Sequence, residues 1–143
     1  MLNVLTKYCV LTCEDLLLVM RPYQIVATEK IVNKVVRTSN PKQWGTIDAG
    51  GFIWHTTGSG KTLTSFKTAQ LVSQIEGVDK VLFVVDRKDL DYQTKKEYDR
   101  FQKGAANSST STTVLKRQLE DKDKNSRNYN FIFLIRTILI FIL

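Results

Sequence analysis

Thr57-Gly58-Ser59-Gly60-Lys61-Thr62 is the stretch of this sequence whose residue types and spacing can do chemistry. Glycines at these places let successive backbone N–H groups close on phosphate oxygens at the positive end of a helix that starts just after them. Gly58 and Gly60 permit backbone angles and a close approach that side chains would forbid. Lys61 carries positive charge toward β- and γ-phosphates, and the Thr62 hydroxyl is placed to ligate Mg²⁺. Thr57, Gly58, Ser59, Gly60, Lys61 and Thr62 are therefore the candidate nucleotide-binding residues, with Thr62 the candidate metal ligand. The full G-x-x-x-x-G-K-[ST] pattern is not met, because His55 stands at its first glycine position. A chance G-x-G-K-T in a basic chain is the alternative, and the elements on either side separate the two.

Those elements have the right order. Gly50-Gly51-Phe52-Ile53-Trp54-His55 is a short apolar strand candidate entering the loop. After the loop Leu63, Phe66, Ala69, Val72 and Ile75 fall three apart on a helix closed by Gly77. Val81-Leu82-Phe83-Val84-Val85 is a continuous apolar run, as expected of a strand buried on both faces of a parallel sheet. Asp89 can cap a following helix that carries Leu90, Thr94, Tyr98 and Phe101 on one face. Upstream, two short apolar runs around Val10 and Leu18, broken by Thr12 to Asp15, suit two strands and a tight turn, with helix as the competing reading. Pro22 sits well at the first position of a helix whose apolar residues include Ile25, Val26, Ile31, Val32, Val35 and Val36, ending between Arg37 and Asn40. The order strand, loop, helix, strand, helix makes the fold class α/β: a P-loop, RecA-like parallel sheet flanked by helices, here truncated.

Length and composition narrow the partners. The 143 residues suffice for one domain and not for two stacked motor lobes. With 43% hydrophobic and 24% charged residues, 7 Gly and 2 Pro, collagen-like and wholly disordered chains are excluded. A formal charge of +7 favours polyanions, without choosing between nucleic acid, phospholipid and nucleotide. No signal peptide is apparent, so a reducing cytoplasm is the expected setting, and the spacing of Cys9 and Cys13 is not a zinc pattern. Residues 103–128 read as a charged surface excursion with one short helix around Leu115 and Leu119. Phe131 to Leu143 is apolar apart from Arg136 and Thr137; as a helix it would reach ~20 Å against a hydrocarbon core of ~30 Å, so no membrane anchor is expected, and the stretch reads as a buried strand or an aberrant C-terminus.

Three blocks in order carry a family resemblance: Arg21-Pro22-Tyr23-Gln24, the stretch from Gly50 to Thr64, and the stretch from Val81 to Leu90. Over about residues 15–105 the chain resembles the restriction (motor) subunit of type I restriction enzymes, in the first of its superfamily 2 helicase-like lobes. The resemblance implies an ATP-dependent, DNA-translocating and DNA-cleaving enzyme with ATP and Mg²⁺ as cofactors. Its implied partners are double-stranded DNA and the methyltransferase and specificity subunits. It places Gln24 as the reader of adenine through a bidentate amide contact, and Gly58 to Thr62 in the phosphate cradle. Asp86 ends an apolar strand as a Walker B carboxylate would, but Arg87 follows it instead of Glu. In the family this position carries a DNA-contact loop, which makes Arg87 and Lys88 candidate DNA-backbone contacts; an ordinary solvated strand end is the alternative.

The implied organisation is a strand-rich linker over 1–20, the N-terminal part of a helicase-like ATP-binding domain over 21–128, and an apolar tail over 129–143 that departs from the family pattern. No D-E-x-H box, arginine finger or P-D-x-K-type nuclease constellation is readable in the sequence, so no catalytic residue is named and the isolated chain is expected to be inactive. The competing readings are a non-enzymatic truncated remnant, a different superfamily 2 helicase, or a small P-loop kinase or GTPase whose further motifs are not found.

Overall fold

The structure, a computed structural model, describes residues 6–38, 46–78, 80–85, 88–109, 111–120, 131–135 and 140–142. It consists of two units, Met1–Gly77 and Val78–Leu143.

The first unit opens with an antiparallel hairpin of β1 (Cys9–Leu11) and β2 (Leu17–Val19), in register Cys9↔Val19 and Leu11↔Leu17. The strand reading of the apolar runs is therefore the one adopted. Thr12 closes the turn: its hydroxyl accepts the Glu14 and Leu16 N–H groups at 3.3 and 3.1 Å, which lets Asp15 sit at φ +59°. Helix α1 (Pro22–Arg37) starts as expected on Pro22, whose missing N–H costs nothing in the first turn. It ends with the Thr38 hydroxyl donating to the Lys34 carbonyl at 2.8 Å and with Lys34 and Arg37 near the negative end of its dipole. Its buried stripe is Gln24, Ala27, Thr28 and Val35, whereas Val26 and Val36 of the apolar pattern are exposed. The helix is as predicted, but its inward face is rotated toward polar residues.

Helix α2 (Lys61–Val72) packs against α1, burying Phe66, Ala69 and Val72. At the crossing the hydroxyls of Thr28 and Thr68 lie 3.1 Å apart, and Thr68 gives its hydrogen to the Thr64 carbonyl at 2.7 Å. Each hydroxyl has one hydrogen, so Thr28 donates to Thr68 and both buried groups are satisfied. The helix stops at Val72, a turn before the expected closure; Gly77, at φ +88°, ends the turns that follow and not the helix. Residues 50–55 are not a strand. No described strand pairs with them, and a strand persists only through a ladder with a neighbour; Phe52 and Trp54 are 91% and 89% exposed.

The second unit is a four-stranded sheet in the order β4-β5-β3-β6, built from β3 (Val81–Val85), β4 (Ala106–Ser109), β5 (Phe131–Ile135) and β6 (Ile140–Ile142). β3 and β4 both run parallel to β5, while β6 is antiparallel to β3. The expected parallel pairing is thus present between β3, β4 and β5, and the antiparallel β6 makes the sheet a mixed one. Helix α3 (Lys88–Phe101) joins β3 to β4, and α4 (Thr112–Glu120) follows β4. Tyr98, Phe101, Ala105 and Val81 are buried, with the Tyr98 ring 5.9 Å from Phe83 and 6.4 Å from Phe101. Because α3 already includes Lys88, Asp89 lies inside its first turn and is not its cap. β4 was not expected: Ala-Asn-Ser-Ser has weak strand propensity, and parallel pairing with β5 supplies what propensity does not. Among the described residues no helix is long and apolar enough to cross a membrane.

Candidate nucleotide-binding loop

The first turn of α2 explains why the residues before it matter. Gly60 is the N-cap, at φ +74° and ψ +37°, and Gly58 lies at φ +76°; both are left-handed angles that a side chain resists. The Gly60 carbonyl accepts the first helical bond, from Thr64 N–H at 3.0 Å. The N–H groups of Lys61, Thr62 and Leu63 therefore have no place in the helical ladder, and they form the positive end of the helix dipole. Thr57, Gly58 and Gly60 are exposed, and Ser59 and Thr62 are half-buried.

A hydrogen-bonded cluster holds the loop. Ser59 Oγ donates to the Thr56 carbonyl at 2.7 Å, which commits its only hydrogen. The contact of 3.0 Å between His55 Nδ1 and Ser59 Oγ then requires the imidazole to donate. Exposed Lys61 rests its ammonium on the same Thr56 carbonyl, at 2.9 Å. From α1, the Tyr23 hydroxyl donates to the Ser59 carbonyl at 2.9 Å, and the Tyr23 ring lies 5.9 Å from His55 at an interplanar angle of 59°. Gln24, only 4% exposed, donates from Nε2 to the carbonyls of Ser59 and Gly60 at 3.1 and 3.2 Å. Its Oε1 accepts the Arg21 N–H at 2.8 Å, holding the entry to α1.

The structure therefore brings Gln24 together with Ser59 and Gly60, although 35 and 36 residues separate them. It adds Tyr23, His55 and Thr56 as supports that motif reading missed. The signals were present: Tyr23 adjoins Gln24 in the Arg-Pro-Tyr-Gln block, and His55 is the departure from the first glycine. Lys88 is the first residue of α3, in the second unit. Arg87 lies outside the described residues.

The donor set suits a polyphosphate carrying a divalent cation: free N–H groups at a helix start, an exposed ammonium held by a single carbonyl, and a threonine hydroxyl in the first turn. Comparison with known proteins places the chain in a family. The SWI2/SNF2 ATPase family profile matches residues 23–133, and the chain belongs to that family. Its relatives are type I restriction enzyme endonuclease subunits. A Mycoplasma pneumoniae protein, named as the C-terminal part of such a subunit, is 52% identical over 128 residues, covering 89% of this chain and 62% of the relative. Endonuclease subunits of Staphylococcus aureus (strain COL) and Staphylococcus saprophyticus are 45% and 44% identical over 121 residues, covering 84% of this chain. The chain spans about three fifths of the first relative's length and 12% of each staphylococcal subunit.

Proposed function

We propose that this chain is the nucleotide-binding part of the first motor lobe of a type I restriction endonuclease subunit, a RecA-like P-loop element of an ATP-dependent enzyme that translocates and cleaves DNA. Thr57, Gly58, Ser59, Gly60, Lys61 and Thr62 form its phosphate loop, and residues 21–128 its portion of the ATP-binding domain. Lys61 leaves the Thr56 carbonyl for the β- and γ-phosphates, exchanging a neutral acceptor for a charged one. Thr62 would offer its hydroxyl to Mg²⁺, which when bound would supply charge neutralisation for the phosphates. Arg87 and Lys88 contact the backbone of double-stranded DNA, and methyltransferase and specificity subunits complete the assembly in the cytoplasm. The observation that carries the reading is the pair of left-handed glycines directly before the first turn of α2.

Binding and turnover separate in this chain. No D-E-x-H box stands in the 143 residues to position the attacking water, and a transition-state arginine is worth ~10³–10⁵ in rate in related phosphoryl transfers. The expected outcome is Mg²⁺-dependent ATP binding that Lys61→Ala abolishes, measured by calorimetry, with no DNA-stimulated phosphate release. Release that linear DNA stimulates and Lys61→Ala removes would overturn this division.

A further inference from the structure

We infer that the exposed face of α1 carrying Lys30, Lys34 and Arg37 is a docking surface for the phosphate backbone of duplex DNA, separate in the chain from Arg87 and Lys88. The inference rests on the DNA-binding reading above and names a surface of the first unit that serves it.

The face follows from the helix period. At about 100° per residue, Lys30, Lys34 and Arg37 fall within an arc of about 60°. All three are exposed, as is Asn33 beside them, while Gln24, Ala27, Thr28 and Val35 are buried. The one carboxylate of α1, Glu29, is paired with Lys7 at 2.9 Å. Among the described residues no carboxylate pairs with Lys30, Lys34 or Arg37. The helix dipole accounts for Lys34 and Arg37, which lie in the last turn, but its effect fades before Lys30. Lys30 and Lys34 are like charges one turn apart and repel each other, a cost that the free chain leaves uncompensated. An anionic partner removes it.

The dimensions suit a duplex. From Lys30 to Arg37 the helix rises ~10.5 Å, and one strand presents a phosphate every ~3.4 Å of duplex axis, so three cations meet about three phosphates. Asn33 adds a neutral amide donor of the kind that also contacts the backbone. A lipid surface fits less well. An interfacial helix lays a broad apolar face bearing Trp, Phe or Leu into the bilayer, whereas the large apolar side chains that α1 exposes are Tyr23, Val26 and Val36.

The experiment titrates the full chain with two unrelated duplexes between 50 and 200 mM salt, read by fluorescence anisotropy. The triple variant Lys30→Gln, Lys34→Gln, Arg37→Gln should bind both duplexes about tenfold more weakly at 50 mM salt, with a slope of log K against log salt shallower by about 2.7. A control triple, Lys103→Gln, Lys116→Gln, Arg117→Gln, removes the same charge from exposed positions of the second unit and should stay within about twofold of wild type. Lys30→Gln alone lies outside the last turn, so it should lower the slope by about 0.9 and leave stability in urea unfolding at or above that of wild type. Equal losses in the two triples would mean that net charge alone acts, and would overturn the inference. An unchanged slope in the α1 triple would overturn it while the DNA-binding reading stands. So would α1 variants that lose sedimentation with phosphatidylserine vesicles and keep their DNA affinity, since the face would then serve a membrane. A wild-type chain that binds neither duplex would remove the DNA-binding reading itself, and this inference with it.

Discussion

Gly60 concentrates several demands on one position. Its φ of +74° lies in the left-handed region, and a Cβ there would overlap Gln24 Nε2. Gly58, at φ +76°, has open space where its Cβ would stand, so only the angle restricts it. Gly60→Ala should therefore destabilise the chain by ~1–3 kcal/mol in urea unfolding, and Gly58→Ala by less. Combining Gly60→Ala with Gln24→Ala removes the overlap and leaves the strained angle, so the double variant should be more stable than the summed single losses by ~0.5 kcal/mol or more. Strict additivity would show that the two residues do not meet. At this scale the glycines, Lys61 and Thr62 are legible from type and spacing. The contact of Gln24 with the loop is not, because nothing local records that residues 59 and 60 will stand beside it.

Helix α2 carries a buried cation as well as the loop. Lys67 is 7% exposed and donates to the Cys9 carbonyl at 3.0 Å and to Gln70 Oε1 at 2.7 Å, tying the hairpin to the helix. Burial lowers its pKa below the usual 10.5, with the neighbouring Cys9 acting in the opposite sense. Between the lowered value and 10.5 the unfolded chain binds more protons than the folded one, so this group's contribution to stability rises as pH rises through that window. Lys67→Met should remove the rise: its stability relative to wild type should fall as urea titrations move from pH 8 to pH 11. Parallel curves would show that Lys67 titrates normally. Amphipathic spacing reveals α1 and α2, yet it points Val26 and Val36 inward where Gln24 and Thr28 go. Apolar periodicity cannot indicate which polar residues find buried partners.

Across the whole molecule, the excess of 21 Lys+Arg over 14 Asp+Glu bears on the proposed DNA contacts. No base-reading module is recognisable in the sequence, so binding to duplex DNA should be indifferent to sequence and should weaken about tenfold or more between 50 and 200 mM salt. Fluorescence anisotropy with unrelated duplexes checks this, and strong preference for one of them at physiological salt would contradict it. At this scale the α/β class was readable from the alternation of elements, and β3 from its unbroken apolar run. The sheet's order and its mixed direction were not.

Residue type and local spacing by themselves determined α1 from Pro22, the glycine loop with Lys61 and Thr62, α2, and the strand at Val81, and left the hairpin open to a helical reading. Each depends on interactions within a few residues: turn chemistry, helix capping, or the period of an apolar face. Tertiary structure alone decided that residues 50–55 have no ladder partner among the described strands, that Ala106–Ser109 is a strand, and that β6 runs antiparallel beside β3. It also decided that Gln24 clamps the loop and that Lys67 reaches Cys9 across 58 residues. Ladder pairing and the satisfaction of buried polar groups depend on which distant segments meet, and local periodicity contains no term for that.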